Sequence, residues 1–417
     1  METMEIMKNG FKCRFCNSGL SHIFISLGLS PLSNAYLSQE QLDKKEPLFP
    51  LDVYVCDKCF LVQLPEFQSP EIIFKDYAYF SSYSDTWIKH TSAYAKKIQC
   101  ILNLNQRSLV IELASNDGCL LKNFIKMGIP SLGIEPARNV AEFANKNGVE
   151  TEVAFFGKAT AKKLVSQGKL ADLLIGNNVL AHVPDLNDFV AGMKLILKPK
   201  GIISMEFPHL AKLIEGNQFD TIYHEHFSYF SFMVVEKVFQ KHGLKVFDVE
   251  EMPTHGGSLR IYAKHSGNAD RLITNRVLAM RKREFDAGYD DIKFYEEFKN
   301  NVQLLRSEIL RFLKKVKDEN KIIVGYGAPA KGNTLLNYCG IDSKIIPFTV
   351  DKNPVKQGRF LPGSRIPIES PEKIKEVKPD YVLILPWNIK EEVKEQVSFI
   401  SGWKGKFVTF VPKVVIN

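Results

Sequence analysis

The chain has 417 residues, 45% hydrophobic and 24% charged, the balance of a water-soluble globular protein with room for roughly two to three domains. Its 55 basic and 47 acidic residues are dispersed, so the formal charge of +8 favours small anions in general and excludes the dense basic block of a nucleic-acid-binding chain. No apolar run is long enough to span a bilayer, and residues 1–20, with Glu2, Glu5 and Lys8-Asn9-Gly10, lack the apolar centre of a signal peptide; a cytoplasmic protein without a membrane partner is the expectation.

Cys13-Arg-Phe-Cys16 and Cys56-Asp-Lys-Cys59 are two CxxC pairs. In each, both sulfurs of a tight turn can face one ion, and two such turns close a tetrahedral four-thiolate zinc site with no vacant position. The predicted zinc is therefore structural, stapling a small N-terminal domain over residues 1–75 whose strands, such as Leu51-Asp-Val-Tyr-Val55, are too few to fold alone. A redox role for one CxxC leaves the second unexplained. Next, Asp76-Tyr-Ala-Tyr-Phe-Ser-Ser-Tyr-Ser-Asp85 is aromatic and polar. Tyr77 and Tyr79 are candidates to touch a ligand or to pack between domains. A helical pattern follows from Trp87 to Leu102.

The second domain is expected over residues 76–250. Ser108-Leu-Val-Ile-Glu-Leu-Ala-Ser-Asn-Asp-Gly118 reads as a buried parallel strand breaking into a small-residue loop, with a helix resuming at Cys119. Small residues let a ligand approach the backbone there. Leu132-Gly-Ile-Glu135 is a second strand ending in an acid, where a carboxylate can accept hydrogen bonds from ribose hydroxyls. Ala171-Asp-Leu-Leu-Ile-Gly176 and Gly201-Ile-Ile-Ser-Met-Glu-Phe207 continue the rhythm of a doubly wound sheet. Asn177, Asn178 and His182 then fall at the ligand edge, beyond the carboxyl ends of the strands.

Tyr223-His-Glu-His226 concentrates a phenol, a carboxylate and two imidazoles, the groups needed for a base, a residue to orient it and a donor for an oxyanion. As an ordinary strand, alternate residues would face opposite sides and only two would meet. Lys245 to Glu250 is a further strand, and Thr254-His-Gly-Gly-Ser258 a bend before Leu259-Arg-Ile-Tyr262. His255 or Arg260 can reach an anion there or simply cap the bend.

The third domain is expected over residues 251–417. Residues 270–320 read as long amphipathic helices forming a joint. Lys321-Ile-Ile-Val-Gly-Tyr-Gly-Ala-Pro-Ala-Lys-Gly-Asn-Thr334 is a strand entering a glycine-rich loop, a possible phosphate cradle built around Lys331, Asn333 and Thr334 but without the order of an NTP-hydrolysing P-loop. Strands Ile345 to Val350 and Tyr381 to Leu385 end at Asp351-Lys352-Asn353 and Pro386-Trp387-Asn388. Trp387 can stack on a base or sit in an interface.

Taken in order, these motifs resemble the S-adenosylmethionine-dependent C-methyltransferases that act on nucleotide-linked 4-keto deoxysugars. The resemblance covers almost the whole chain. It implies an α/β protein with a small zinc-binding domain, a central class I (Rossmann-like) methyltransferase domain and a C-terminal Rossmann-like nucleotide-binding domain. By this resemblance, Glu112, Ala114, Asn116, Gly118, Glu135, Pro136, Phe156, Asn177 and Asn178 would hold S-adenosylmethionine. His255, Arg260, Lys331, Asn333, Thr334, Trp387 and Asn388 would hold a TDP- or GDP-linked sugar.

The implied reaction removes the proton beside the ketone and gives the enolate to the methyl sulfonium. His226 is the expected base, with Glu225 orienting it or binding a sugar hydroxyl, Tyr223 and His182 donating to the enolate oxygen, and Tyr77 or Tyr79 closing over the sugar. A monomer with no nucleic-acid partner is expected. The rival readings are an NAD-dependent sugar oxidoreductase and a non-catalytic zinc-stapled binding module.

Overall fold

The computed structural model describes residues 10–73 and 80–417. In the N-terminal module, β1 (His22–Ser30), β2 (Phe49–Val55) and β3 (Val62–Gln63) form an antiparallel ribbon. Leu51, Val53 and Val55 are buried while Asp52 and Tyr54 are only half-buried, the period of two that a one-sided strand requires. Among the described residues the module forms no separate core. Phe15 and Leu61 join the cluster containing Phe189, Val235 and Phe239 of the middle domain, whereas Phe24, Val53 and Val55 join the cluster of the joint and the third domain.

Helix α1 (Asp85–Leu102) starts where the Ser84 hydroxyl accepts from Trp87 N, and it buries Thr91, Tyr94, Ala95 and Ile98 along one stripe. The sheet beneath it is built from β4 (Val110–Leu113), β5 (Ser131–Glu135), β6 (Thr151–Val153), β7 (Ala171–Asn177) and β8 (Leu197–Pro208), parallel in the order β6-β5-β4-β7-β8. β4 lies between β5 and β7, so the winding direction reverses there and opens a crevice beyond the carboxyl ends. β9 (Ser228–Tyr229) leaves this sheet and pairs with β3, Val62 opposite Tyr229 and Gln63 opposite Ser228. After α2 (Phe232–Lys241), β10 (Leu244–Met252) and β11 (Ser258–His265) return as a hairpin, with β11 antiparallel to β8 from Ser258↔Pro208 to Ala263↔Ile203. The expected division at 250 therefore cuts through β10. The hairpin bearing His255 and Arg260 belongs to the middle sheet, because its ladder hydrogen bonds are made there.

The joint consists of α3 (Asn275–Asp286), a short helix Ile292–Glu296 and α4 (Phe298–Asp318), whose Phe298, Val302, Leu305, Ile309, Leu313 and Val316 form the buried stripe. Phe24 stacks on Phe298 at 4.7 Å between ring centroids. The buried Glu284 carboxylate accepts from Phe232 N and Met233 N at the start of α2 and pairs with His209 at the end of β8. The third sheet has the order β14-β13-β12-β15-β16-β17, from β12 (Ile323–Tyr326), β13 (Thr349–Val350), β14 (Ile368–Glu369), β15 (Tyr381–Ile384), β16 (Lys406–Thr409) and β17 (Val415–Ile416), with α5 (Ala330–Cys339) after β12. The strand predicted over 345–350 shrinks to its last two residues. Ile345 N and Ile346 N both turn back to the Asp342 carbonyl, and Pro347 has no N–H for a ladder. Among the described residues no helix is long and apolar enough to cross a membrane.

Because Phe298 is 1% exposed and its ring bridges the zinc module to the joint, Phe298→Ala is expected to cost about 3–5 kcal/mol of stability. Chemical denaturation followed by circular dichroism measures this. A loss below about 1 kcal/mol would mean that the stack is not what holds the module in place.

Candidate active site

At the switch point the chain leaves β4 through Ala114 (φ 53°), Asn116 (φ 49°) and Gly118 (φ 75°), a left-handed path that brings backbone to the crevice. A Cβ on Gly118 would lie 2.8 Å from Val149, so the close approach admits no side chain there. Glu135, at the end of β5, pins the loop: one carboxylate oxygen accepts from Asn116 N and the other from Ala137 N, each at 2.9 Å. Pro136 lies between, half-buried, just before helix Arg138–Lys146. Glu112, Asp117 and Glu135 are all at most 5% exposed, and Glu112 is pushed well above the usual carboxylate range by burial, then by Asp117 and Glu135. Beside them Glu112 Oε2, Ser115 Oγ, both polar atoms of the Asn177 side chain and Asn178 Oδ1 are buried without a hydrogen-bond partner among the described residues.

Buried polar atoms left this way call for a polar ligand, and S-adenosylmethionine, whose amino-acid and ribose groups carry several donors and acceptors, fits that demand. Phe156 is half-buried with its ring edge-on to Phe189 at 5.3 Å.

Thr221 to Phe227 form a buried turn rather than a strand, and the side chains diverge. His226 Nδ1 donates to the Thr221 carbonyl at 2.8 Å, which makes Nε2 the unprotonated nitrogen of the neutral ring. Its ring lies 4.0 Å from Tyr223 and 4.7 Å from His182. Burial pulls His226 well below the ordinary imidazole value, and the neighbouring His182 adds to that, so the ring is held neutral. His182 falls to about 4, chiefly from burial. Glu225 does not orient His226. Its carboxylate accepts from Asn34 Nδ2 at 2.5 Å, and burial pushes it up to about 7. His224 turns away to the Pro50 carbonyl and the Phe49 ring. Tyr77 and Tyr79 lie outside the described residues.

From the hairpin, His255 (φ 55°) reaches Asn178, with 2.5 Å between Nε2 and Nδ2, and burial lowers it to about 4. The third domain approaches through Lys331, whose Nζ donates to Asn388 Oδ1 at 2.8 Å and lies 4.4 Å from the centre of the Trp387 ring. Trp387 in turn donates to Asp220 at 2.6 Å, so its indole is an interface residue. Asp220 and Asn34 were not singled out from sequence. Asp220 opens the Tyr-His stretch and had a local signal; Asn34, in a bland Pro-Leu-Ser-Asn-Ala loop, had none.

Three expected substrate contacts are used elsewhere. Arg260, 2% exposed, is paired with the buried Glu206, whose carboxyl sits at about 2: burial opposes its charge, but His90 and Arg260 outweigh that. Asn333 donates to the Ser33 carbonyl and Thr334 to the Ile222 carbonyl, both side chains completely enclosed. The Ala328 N–H of the glycine loop donates to Asp351 at 2.7 Å, so an acid already occupies part of the predicted phosphate cradle.

The methyltransferase domain model matches residues 87–249, the C-methyltransferase C-terminal domain model residues 253–412, and the zinc binding domain model residues 13–74. The C-methyltransferase NovU of Streptomyces niveus is 36% identical over 409 residues, covering 98% of this chain and 97% of that protein. The chain belongs to the S-adenosylmethionine-dependent C-methyltransferase family. A ubiquinone biosynthesis O-methyltransferase of Bartonella bacilliformis is 24% identical over 95 residues, 22% of this chain and 38% of the relative. Among solved structures, an S-adenosylmethionine-dependent methyltransferase from Clostridium acetobutylicum is 12% identical and covers 43% of this chain and 92% of its own, at a TM-score of 0.35. Magnesium protoporphyrin IX methyltransferase from Synechocystis is 13% identical, covering 47% and 89%, at 0.33. Both scores are too low to bear on the argument.

This C-methyltransferase holds its zinc through Cys13, Cys16, Cys56 and Cys59, whose sulfurs lie within 4.8 Å of one another. Cys13–Cys59 and Cys16–Cys56 are each 3.5 Å apart, close to the roughly 3.8 Å edge of a tetrahedron with zinc–sulfur bonds of about 2.3 Å. The two turns match: Asn17 N returns to the Cys13 carbonyl and Phe60 N to the Cys56 carbonyl, and both residues have positive φ. Gln63 Nε2 donates to Cys13 Sγ at 3.2 Å.

Cys56→Ser is expected to release zinc and lower the melting temperature, read by metal analysis and calorimetry, because the loss of one thiolate opens the site. Fully folded protein without zinc would overturn the structural role. Glu135→Ala is expected to weaken S-adenosylmethionine binding by roughly 1.5–3 kcal/mol in a calorimetric titration, the scale of a lost charge-assisted hydrogen bond together with the loop it pins. Glu135→Gln, which retains one acceptor, loses less; unchanged affinity in both variants would remove Glu135 from the cofactor site.

Proposed function

We propose that this C-methyltransferase places a methyl group on the carbon (C3) beside the ketone of a nucleotide-linked 4-keto-6-deoxyhexose, by way of an enolate, in branched deoxysugar biosynthesis. The observation that carries the reading is the His226 imidazole, held by the Thr221 carbonyl at Nδ1 so that Nε2 is presented as an acceptor beside Tyr223 and His182. Burial keeps that imidazole unprotonated at neutral pH and ready to take the proton alpha to the ketone. Tyr223 and His182 then serve as partners of the developing oxyanion. When bound, S-adenosylmethionine supplies an electrophilic methyl group. Asn177 and Asn178, with their unsatisfied amide atoms, orient what lies between the two halves of the site.

The third domain contributes Lys331, Trp387 and Asn388, a cation, a ring and an amide suited to the hydroxyls or phosphates of a TDP- or GDP-linked sugar. A monomer in the cytoplasm, where reduced thiolates persist, is the matching setting. A second reading of the base has its own support: Glu225, at about 7, lies nearer the pH at which a general base is most effective.

His226→Asn retains a donor for the Thr221 carbonyl but no base. It is expected to keep cofactor affinity while losing on the order of 10²–10⁴-fold in turnover with labelled S-adenosylmethionine and TDP- and GDP-4-keto-6-deoxyhexoses. Solvent-deuterium exchange of the proton alpha to the ketone should fall with it. Exchange that survives while methylation fails assigns the proton transfer to another residue, Glu225, His182 or Tyr223, and leaves His226 a binding residue.

A further inference from the structure

The zinc module does more than dock. Its loop after β1 is fixed to the third domain: Tyr36 donates to the Ala328 carbonyl at 2.7 Å, and Leu37 exchanges two 2.9 Å backbone hydrogen bonds with Phe360. Asn333 reaches the Ser33 carbonyl from the other side, and the Lys356 ammonium both meets the Ala328 carbonyl at 2.8 Å and lies over the Tyr36 ring. At the tip of this clamped loop, Asn34 Nδ2 meets Glu225 Oε1 at 2.5 Å, while Asn34 Oδ1 lies 3.2 Å from the Tyr36 hydroxyl. An ionised Glu225 offers only acceptors, so the Asn34 N–H is the group that faces it.

We infer that Asn34 is a positioning residue of the methyl-transfer site, delivered by the zinc domain to hold the Glu225 carboxylate. This rests on the functional reading above, in which Glu225 belongs to the site. Glu225 is 6% exposed, and Asn34 is the side chain that offsets its burial, pulling its ionisation down while burial pushes it up. A donor on a loop gripped by two domains can act this way because its position is fixed before any ligand arrives. The contact also gives the N-terminal module a stake in the chemistry that no property of the metal site requires.

The test reads Glu225 itself. Its carboxyl band is identified in infrared difference spectra as the one absent from Glu225→Gln, then titrated in the zinc-loaded full chain; the wild-type midpoint is expected at about 7. In Asn34→Leu the midpoint is expected to rise by roughly half to one pH unit, the effect of one lost neutral donor. Asn34→Asp, of unchanged shape, should raise it further, because two adjoining carboxyls share a proton. Zinc content and circular dichroism verify folding, and the two variants differ enough in shape that a packing defect in one is distinguished from the shared loss of the donor.

The raised midpoint leaves less carboxylate at neutral pH, so the acid limb of methyl transfer to TDP-4-keto-6-deoxyhexose should move to higher pH by the same amount, with activity recovering above it. A midpoint unmoved in both variants overturns the inference. A shifted midpoint with a methylation profile indifferent to it upholds the Asn34 contact and instead sinks the part of the functional reading that gives Glu225 a role.

Discussion

Two residues of strand determine much of this molecule. Ser228 and Tyr229 leave the middle domain's sheet and add to the edge of the zinc module, opposite Gln63 and Val62. The turn just before them carries Tyr223, Glu225 and His226, so the zinc module and the middle domain jointly define where those side chains point. Had the stretch continued the middle sheet, alternation would have sent half of them to the far face. As a buried turn, its carbonyls are available to hold side chains, and the Thr221 carbonyl selects the tautomer of His226. A module this small needs its metal to hold its fold.

Burial then sets the electrostatics. It raises Glu225 and Asp220, to about 7 and about 6, and lowers His182 and His255 to about 4, so the enclosed acids and imidazoles move toward their neutral forms. A neutral imidazole can accept a proton where a cationic one cannot, whereas a neutral carboxyl can only donate. In the cofactor crevice burial acts in the same direction, raising Glu112 and Glu135, while the buried Asp117 adds a third acid beside them.

The third domain shows how a motif can be legible and still be assigned the wrong task. Its glycine loop follows a strand and opens a helix, the local arrangement of a phosphate site. In the assembled protein Asp351 takes the Ala328 N–H, while Asn333 and Thr334 turn to carbonyls of Ser33 and Ile222. The helix start therefore docks against the other two domains. Lys331 alone of that motif's side chains extends toward Trp387, Asn388 and the Asp220 end of the Tyr-His stretch.

The sequence by itself determined whatever depends on spacing along the chain. Two CxxC turns define a tetrahedral sulfur site, apolar runs alternating with helical patterns define the doubly wound sheet, and an acid at the end of its second strand defines Glu135. These are properties of near neighbours. Only the tertiary structure decided which atoms face each other across domains: that Arg260 answers Glu206, that His224 turns to Pro50 while His226 turns inward, that the hairpin beyond residue 250 completes the middle sheet, and that Asn34 reaches Glu225. Such pairings are set by how separate sheets bury their apolar faces against one another, and a side chain's partner across that seam leaves no trace in the residues beside it.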